Sequence, residues 1–545
     1  MQPLISAMTS LRDALVAALK SLLRGKSFLQ ALLAFWVGPA GALTPQDAGP
    51  PKGASTGGST ADFLAEAEVL LLGPIANGRL EAFAKKLKAQ FREGLRSNPA
   101  CMLPSYNHQL PSGTERGRYL ALDVGGSTLR VALVELKGRE TAGKSETVII
   151  RIDCFRIDND VRSLRGAAFF DWMAERIQQT VAQDGGQSYS LMNPLLMGLA
   201  WSFPIEQTSS KGGKLSGMGK GFLAAEGLLG QDLGEIIKNA CQKRGLHVEL
   251  SAIVNDSSAA LLSEAYSSPS TRFGLILGTG VNIAAHLPVA TIGQPKYGDR
   301  PDSWYEKASH VVVNTELGMF GTDILPLTRW DILLKKGHPR PDFQPLEHLV
   351  SGYYLGEVCR LALVEAVEST GLFGGVVPPS LSTPYSLDTE TLSLIEGDSN
   401  SSLEVARLIF TTRHPLPENV PPPSTADMAA LRTLSSYISK RSASIVAASL
   451  FALWELKAET ETDFLRDTTA GSPFAADTET EMSLHNVVAA FNGSVIERYP
   501  GYRHNLQQYI NQLVASSSLV SGSVELVEAK ESSLLGAAVA LASLE

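Results

Sequence analysis

Residues 119–130 have the sequence Tyr119-Leu-Ala-Leu-Asp-Val-Gly-Gly-Ser-Thr-Leu-Arg130, in which two apolar runs flank a glycine turn. Residues 119–124 are largely apolar and predict a short strand that carries Asp123, and a second strand is predicted from Arg130 onward. The turn between them is Gly125-Gly126-Ser127-Thr128, whose glycines let backbone N–H groups approach a phosphate while the hydroxyls add donors. Since no helix opens after the glycines, the pattern is neither a Rossmann fingerprint nor a P-loop. Taken alone, the turn is equally compatible with an ordinary hairpin.

A second turn of the same kind lies about 150 residues further on. Gly278-Thr279-Gly280 separates two apolar runs, and two such turns facing each other across a cleft would hold one polyphosphate. Between the turns, an apolar run ends in Asn255-Asp256, and the carboxyl ends of strands are where open α/β sheets bind ligands. The alternative for this pair is a cap of the helix that is predicted over residues 258–266.

Composition limits the classes of function. The chain has 545 residues, which predicts two to four domains or one large two-lobed enzyme. The 47 basic and 56 acidic residues give a net charge of −9, so we expect no general nucleic-acid-binding surface. The four cysteines form no CxxC pair and the histidines show no metal-ligand spacing, so no protein-held metal is predicted.

The N-terminal segment, residues 1–43, differs from this average. Basic residues outnumber the single acid, Asp13, and apolar residues recur at helical spacing from Leu4 to Leu22. A second apolar run over residues 27–43 is at the short edge for a membrane span. This pattern is typical of mitochondrial import signals and membrane-surface anchors, and the alternative is a loose tail or a wrongly assigned first exon. Residues 44–60 are rich in Pro, Gly, Ser and Thr and predict a flexible linker.

Further motifs follow in a fixed order along the chain. They are Met102–Tyr106, Pro111–Glu115, residues 120–131, Trp201–Pro204, Lys220–Phe222, Asn255-Asp256, residues 278–282, Asn314–Gly318, Glu347–Glu357, residues 440–445 and Asn492–Pro500. In this order, from about residue 61 to residue 545, they resemble the eukaryotic hexokinases. In character the chain is most similar to the divergent fungal hexokinase-like proteins.

The resemblance implies an α/β fold of the actin-like ATPase type, with two lobes that each contain a ribonuclease-H-like sheet and a sugar and ATP cleft. The expected parts are the N-terminal segment (1–43), the linker (44–60), the helical start of the large lobe (61–116), the small lobe (117–255), the large lobe (256–533) and a C-terminal helix completing the small lobe (534–545). Within the large lobe, residues 415–424 and 459–479 are predicted to be surface loops.

The resemblance also implies an activity and a set of site residues. The activity is the ATP- and Mg²⁺-dependent phosphorylation of the 6-hydroxyl of glucose or a related hexose, feeding glycolysis. Asp256 would accept the hydroxyl proton and Lys220 would assist catalysis. The expected sugar contacts are Ser202, Lys220, Asn255, Asp256, Asn314, Glu316 and Glu347. The expected nucleotide contacts are Asp123, Gly125, Gly126, Ser127, Thr128, Arg130, Gly278, Thr279, Gly280, Asn492, Gly493, Ser494 and Gly536.

Three departures from the family pattern bear on function. Met218-Gly219-Lys220 stands where the family has Trp-Thr-Lys, and one lost sugar hydrogen bond predicts a KM about tenfold higher. Asn492 replaces the usual Asp. The closing nucleotide loop, typically Asp-Gly-Ser-Gly-x-Gly-Ala-Ala, is here Glu531-Ser-Ser-Leu-Leu-Gly-Ala-Ala538. Either a leucine blocks the nucleotide there, or the loop follows another path and ATP still binds.

Two functions from different classes follow. In the first, the protein is a working hexose kinase with altered affinities, supported by the groups retained at the reacting oxygen. In the second, it is a sugar-sensing regulator with weak or no catalysis, supported by the altered closing loop and the amphipathic N-terminus. Productive binding of MgATP distinguishes them. The expected location is the cytoplasm, with mitochondrial or membrane attachment through residues 1–43 as the alternative.

Overall fold

The fold is described from a computed structural model, for residues 58–139, 146–182, 189–218, 221–298, 300–468, 472–518 and 521–544. These residues form two compact units. The smaller unit comprises Arg118–Glu135 and Ile149–Ile253, and the larger unit comprises the described residues up to Gly117, within Leu136–Val148 and from Val254 onward. The predictions for residues 1–43, for most of the linker, and for Gly219 and Lys220 lie outside the described residues. The predicted domain boundaries stay a prediction.

The strands belong to both units. In chain order they are β1 Leu103–Pro104, β2 Gly117–Val124, β3 Thr128–Leu136, β4 Thr147–Arg156, β5 Leu195–Trp201, β6 Ile205–Gln207, β7 Gly213–Leu215, β8 Val248–Val254, β9 Thr271–Leu277, β10 Val281–Pro288, β11 His310–Asn314, β12 Asn486–Asn492 and β13 Ser523–Glu528.

The α-helices are concentrated in the larger unit. In chain order they are α1 Thr60–Leu72, α2 Arg79–Ser97, α3 Asn159–Arg162, α4 Ala167–Val181, α5 Leu233–Gln242, α6 Asp256–Ser267, α7 Asp302–Tyr305, α8 Arg329–Gly337, α9 Glu347–Val350, α10 Gly352–Thr370, α11 Thr389–Glu396, α12 Glu404–Arg413, α13 Thr425–Asp467, α14 Pro473–Met482, α15 Ser494–Arg498, α16 Tyr502–Ser516 and α17 Ser532–Ala542.

The smaller unit is a five-stranded sheet in the order β4-β3-β2-β5-β8, with α4 and α5 packed together. The predicted strand and turn at residues 119–130 are confirmed as the β2–β3 hairpin. Strands β2 and β5 run parallel with Val124 paired to Trp201, so their carboxyl ends meet at one edge of the sheet. The core under this edge contains Leu122, Leu199 and Phe222, all buried.

The larger unit is built on a six-stranded sheet in the order β1-β11-β10-β9-β12-β13. Strand β12 is parallel to β9, whereas β10 is antiparallel to both β9 and β11. The end of β9, the start of β10, the end of β11 and the end of β12 therefore lie at one edge of this sheet. The 43-residue helix α13 is its main support and packs against α2, α1 and α16. The α/β class is confirmed.

One detail of the larger unit differs from expectation. Residues 459–479, predicted as a surface loop, lie mostly in α13 and α14. Glu459 accepts hydrogen bonds from Lys88 and Arg92 on α2, so these acidic residues face cations on a neighbouring helix. The C-terminal helix α17 packs against α6 within the larger unit. Within the described part of the chain, none of the helices combines the length and the apolar character that a membrane crossing needs.

A buried histidine in this unit predicts a loss of stability in acid. His286 on β10 is fully enclosed, its ring is stacked on that of His310 at 5.0 Å, and the Glu481 carboxylate lies 3.8 Å from Nδ1. Burial lowers the pKa of His286 from 6.5 to about 3, although Glu481 opposes the shift. Because the pKa of His286 is lower in the folded than in the unfolded state, protonation favours unfolding. The contribution to stability is therefore fully present above pH 6.5 and is lost as the pH falls toward 3. Between pH 6.5 and pH 4 we expect His286 to remove about 3 kcal/mol from the free energy of unfolding.

Urea denaturation of the parent and of His286→Leu at pH 7, 5 and 4 measures this effect. The variant should lose less stability in acid than the parent does. The control is His504→Leu, because His504 is exposed on α16. An acid dependence that is the same in all three proteins would assign the loss to other groups.

Candidate active site

The β2–β3 turn of the smaller unit is held from several sides. The Gly125 N–H donates to the Thr128 carbonyl at 3.1 Å, which closes the turn. Arg130 donates from Nε to Asp123 at 2.9 Å, so these two predicted nucleotide contacts pair with each other across the hairpin. Ser127 is exposed at the tip of the turn, where its hydroxyl can reach a phosphate.

Ser202, a predicted sugar contact, follows β5 at the same edge of the smaller sheet. Its N–H donates to the carbonyl of Val124 at 3.3 Å, directly before the turn. Lys220, a second predicted sugar contact, lies outside the described residues. The segment after it is anchored by Phe222, whose ring packs against Phe203 at 5.0 Å and Phe169 at 5.6 Å.

In the larger unit, Asn255 and Asp256 begin helix α6. Asn255 accepts a hydrogen bond from the Ser258 N–H at 2.9 Å and is the helix cap that the sequence offered as the alternative reading. Asp256 accepts from the Ser257 N–H at 2.8 Å and lies in the first helical turn, where the helix dipole favours a negative charge. Asn255 therefore caps the helix, whereas Asp256 is the carboxylate of its first turn.

Glycines on two neighbouring elements fix the position of α6. A Cβ on Gly274 of β9 would lie 2.2 Å from the Ser257 carbonyl oxygen, and one on Gly536 of α17 would lie 2.1 Å from that of Ala259. Both contacts are too close for any side chain. Gly536, a predicted nucleotide contact, therefore has a packing role that places the helix carrying Asp256.

A chain of amide hydrogen bonds joins the start of β10 to the end of β11. Asn282 donates from Nδ2 to Oδ1 of Asn314 at 2.8 Å, and Asn314 donates from Nδ2 to Oε1 of Glu316 at 2.9 Å. Asn282 is absent from the predicted site, although it lies only two residues after the Gly-Thr-Gly turn. It fixes the amide orientation of Asn314 and so belongs to the site.

Glu316 is half-buried in the larger unit and interacts electrostatically with Asp256. Its backbone is left-handed, with φ 52° and ψ 53°, a conformation uncommon for a residue other than glycine. Burial raises the pKa of Glu316, the donation from Asn314 lowers it, and the negative charge of Asp256 raises it further. Two carboxyl groups thus influence each other at one end of the sheet, as in sites that handle protons.

The Gly278–Gly280 turn lies against a third carboxylate. Glu347, at the start of α9, accepts from the Val281 N–H at 3.0 Å, and a Cβ on Gly280 would lie 2.8 Å from its Oε2 atom. The Gly278 carbonyl and the Thr279 carbonyl accept from the N–H groups of Gly352 and Tyr353 at the start of α10. Predicted sugar and nucleotide contacts therefore share one turn.

A second glycine turn lies next to the first. A Cβ on Gly278 would lie 3.3 Å from the Ser494 N–H nitrogen, and Gly493 has a φ of 129°, which suits glycine. These turns follow the parallel strands β9 and β12, so both open at the carboxyl edge of the sheet. The glycines allow the two turns to pack closely together, at the edge of the sheet where α/β proteins bind ligands.

Two of the three departures from the family pattern have structural reasons. Asn492 donates from Nδ2 to the Ala529 carbonyl at 3.2 Å, a bond that an ionised Asp could not make. In the closing loop, Glu531 takes a left-handed conformation with φ 49°, and α17 begins directly after it. Leu534 is fully buried within α17. The loop follows a helical path, and the side chain of this leucine is shielded from solvent.

Comparison with known proteins identifies the family. Two family models described as Hexokinase match residues 74–266 and 272–543. The chain belongs to the hexokinase family. The resemblance seen in the motifs is confirmed, and members of this family are hexose phosphotransferases that use ATP.

Individual relatives match over most of their length. The chain is 28% identical to Hexokinase-2 of Candida albicans over 476 residues, which are 86% of this chain and 90% of that protein. It is 29% identical to Hexokinase-1 of Arabidopsis thaliana over 472 residues, 85% of this chain and 88% of the plant protein. The solved structure of Schistosoma mansoni hexokinase complexed with glucose has 27% identity and a TM-score of 0.69, covering 89% of this chain and 100% of that one. This similarity confirms the predicted hexokinase fold.

Proposed function

We propose that the protein transfers the γ-phosphoryl group of MgATP to the 6-hydroxyl of glucose or a related hexose and supplies the product to glycolysis. The observation that carries the proposal is the cluster of Asp256, Glu316 and the Asn282–Asn314 amides beside the Gly278–Gly280 turn, in a chain of the hexokinase family. Carboxylates and amides both accept and donate as sugar hydroxyls require. The Schistosoma relative's structure contains glucose, which supports the choice of sugar.

In the proposed reaction, the Asp256 carboxylate accepts the proton of the 6-hydroxyl as the hydroxyl oxygen attacks the γ-phosphorus. A new O–P bond forms, the bond from the γ-phosphorus to the bridging oxygen breaks, and ADP leaves. Asn314, oriented by Asn282, and Glu347 hold the sugar, while the backbone N–H groups of the glycine turns hold phosphate oxygens. Bound Mg²⁺ would neutralise the phosphate charge.

Neither the fold nor the comparisons favour the sugar-sensing regulator, so the kinase is the function to test. Full-length protein with glucose and MgATP should produce glucose 6-phosphate at a kcat on the order of 1–1,000 per second. Asp256→Ala, shown to be folded by circular dichroism, is the blank. A folded parent protein with no turnover above this blank would overturn the proposal.

We also propose a cytoplasmic protein that attaches to a mitochondrial or other membrane surface through residues 1–43. The basic, amphipathic sequence pattern of that segment supports this location. Cell fractionation of the full chain, and of a chain in which Leu11 and Leu15 are both changed to Asp, tests it. The parent should sediment with membranes and the variant should not, and a soluble parent would contradict the attachment.

A further inference from the structure

Arg162 stands at the end of the short helix α3 in the smaller unit, between two predicted substrate-binding segments. The helix follows β4 and is capped by Asp158, which accepts from the Val161 N–H at 3.0 Å. The Arg162 side chain is half-buried. Sequence motifs give no indication of a role for Arg162, because it contacts residues far from it in the sequence.

The first contact of Arg162 is with the β2–β3 turn. Its Nη2 atom donates to the carbonyl of Gly126 at 3.0 Å, and the N–H of Ile157, just before α3, donates to the carbonyl of Ser127 at 2.8 Å. In a trans peptide the C=O and the following N–H point in opposite directions. Holding these two carbonyls therefore directs the N–H groups of Ser127 and Thr128 away from α3. These N–H groups are the predicted phosphate donors.

The second contact of Arg162 is with the segment that directly follows Lys220. The Arg162 carbonyl accepts from the Leu223 N–H at 3.0 Å, and its guanidinium lies 6.0 Å from the centroid of the Phe222 ring. Phe222 is buried, so the chain that leaves Lys220 is fixed two residues later. One residue thus touches both a predicted phosphate turn and the anchor of a predicted sugar ligand.

We propose that Arg162 is a positioning residue that couples sugar binding to nucleotide binding within the smaller unit. Residues 221–223, which Phe222 anchors, transmit the effect of bound sugar through Arg162 to the Gly125–Thr128 turn, and bound nucleotide acts in the reverse direction. Such coupling is reciprocal: each ligand strengthens the other by the same factor. The inference rests on the proposed function, since it takes glucose and ATP as the ligands.

Arg162→Met is the variant that tests this coupling. Methionine keeps the backbone bond to Leu223 and much of the side-chain bulk, but it removes the donor to Gly126 and the charge facing Phe222. Within the described residues the Nε atom of Arg162 makes no hydrogen bond, so the substitution removes a single side-chain hydrogen bond. Arg162→Gln, which retains an NH₂ donor without the charge, separates the hydrogen bond from the electrostatic contact.

The measurement is a binding cycle by calorimetry with full-length protein. The Kd of a non-hydrolysable ATP analogue with Mg²⁺ is determined with and without saturating glucose, and the Kd of glucose is determined alone. In the parent, glucose should tighten nucleotide binding by a factor in the range of about 5–150. In Arg162→Met this factor should fall at least about fivefold toward one, with the Kd of glucose alone changed less than about twofold.

The control is Arg165→Met. Arg165 is close in sequence and carries the same charge, but its side chain is 71% exposed and pairs with Glu226 at 2.7 Å. If the parent neither phosphorylates glucose nor binds the analogue, the proposed function itself is wrong. A parent that does both, with the same coupling factor in Arg162→Met, would overturn the coupling role alone. Equal weakening of both ligands without a change in the factor would also overturn it, since that is the result of a general structural defect.

Discussion

Replacing Asp256 with Asn should lower kcat by a factor of about 100–10,000, the contribution typical of a positioned general base. The amide oxygen can still accept from the Ser257 N–H, so the start of α6 is preserved. The Asn side chain cannot take the proton of the 6-hydroxyl, so the loss should fall on kcat more than on the KM for sugar. Because the charge of Asp256 raises the pKa of Glu316, the substitution should also lower that pKa.

Steady-state kinetics with glucose and MgATP, and calorimetric binding of glucose, measure these effects. The matched control is Asp302→Asn, because Asp302 is an exposed carboxylate in the first turn of another helix, α7. It should retain the parent kcat. If Asp256→Asn turned over glucose at the parent rate, proton acceptance by Asp256 would be wrong, even if the protein is a hexokinase.

The parts of the site that could be predicted are local in sequence. The β2–β3 hairpin, the Gly278–Gly280 turn and the helix after Asn255 each follow from a few adjacent residues, whose conformational preferences act over one turn or one strand. The predicted helix over 258–266 is confirmed and begins two residues earlier, at Asp256, because Asn255 caps it. The family resemblance supplied the rest of the fold.

The parts that could not be predicted depend on contacts between distant residues. Asn282 enters the site because β10 and β11 pair antiparallel, with Ala284 opposite Asn314. Arg162 reaches Gly126, 36 residues before it, through its side chain alone. The acidic stretch 459–479 lacked an apolar pattern, but its first residues continue α13, and Glu459 there accepts hydrogen bonds from Lys88 and Arg92 of α2. Propensity and motif carry no information about such partners.

The altered closing loop gives the second large effect, on stability. Restoring the family's glycine by Leu534→Gly should lower the free energy of unfolding by about 3–6 kcal/mol, from a cavity and from glycine within a helix. The reason is that α17 begins at Ser532 and Leu534 is fully buried. Helix α17 packs against α6, the helix that carries Asp256, so we expect the loss of this buried side chain to loosen that packing. Urea denaturation, and thermal melting with and without the ATP analogue, measure the change.

Ser533→Gly is the matched control, since Ser533 is the neighbouring residue in α17 and is only partly buried. Glycine there should cost no more than about 1 kcal/mol. If instead Leu534→Gly were as stable as the parent and bound ATP more tightly, then Leu534 would be an obstacle to the nucleotide, as one reading of the sequence allowed. If Leu534→Gly is much less stable than the parent but keeps the same KM for ATP in the folded fraction, then Leu534 stabilises the fold and does not close the nucleotide site.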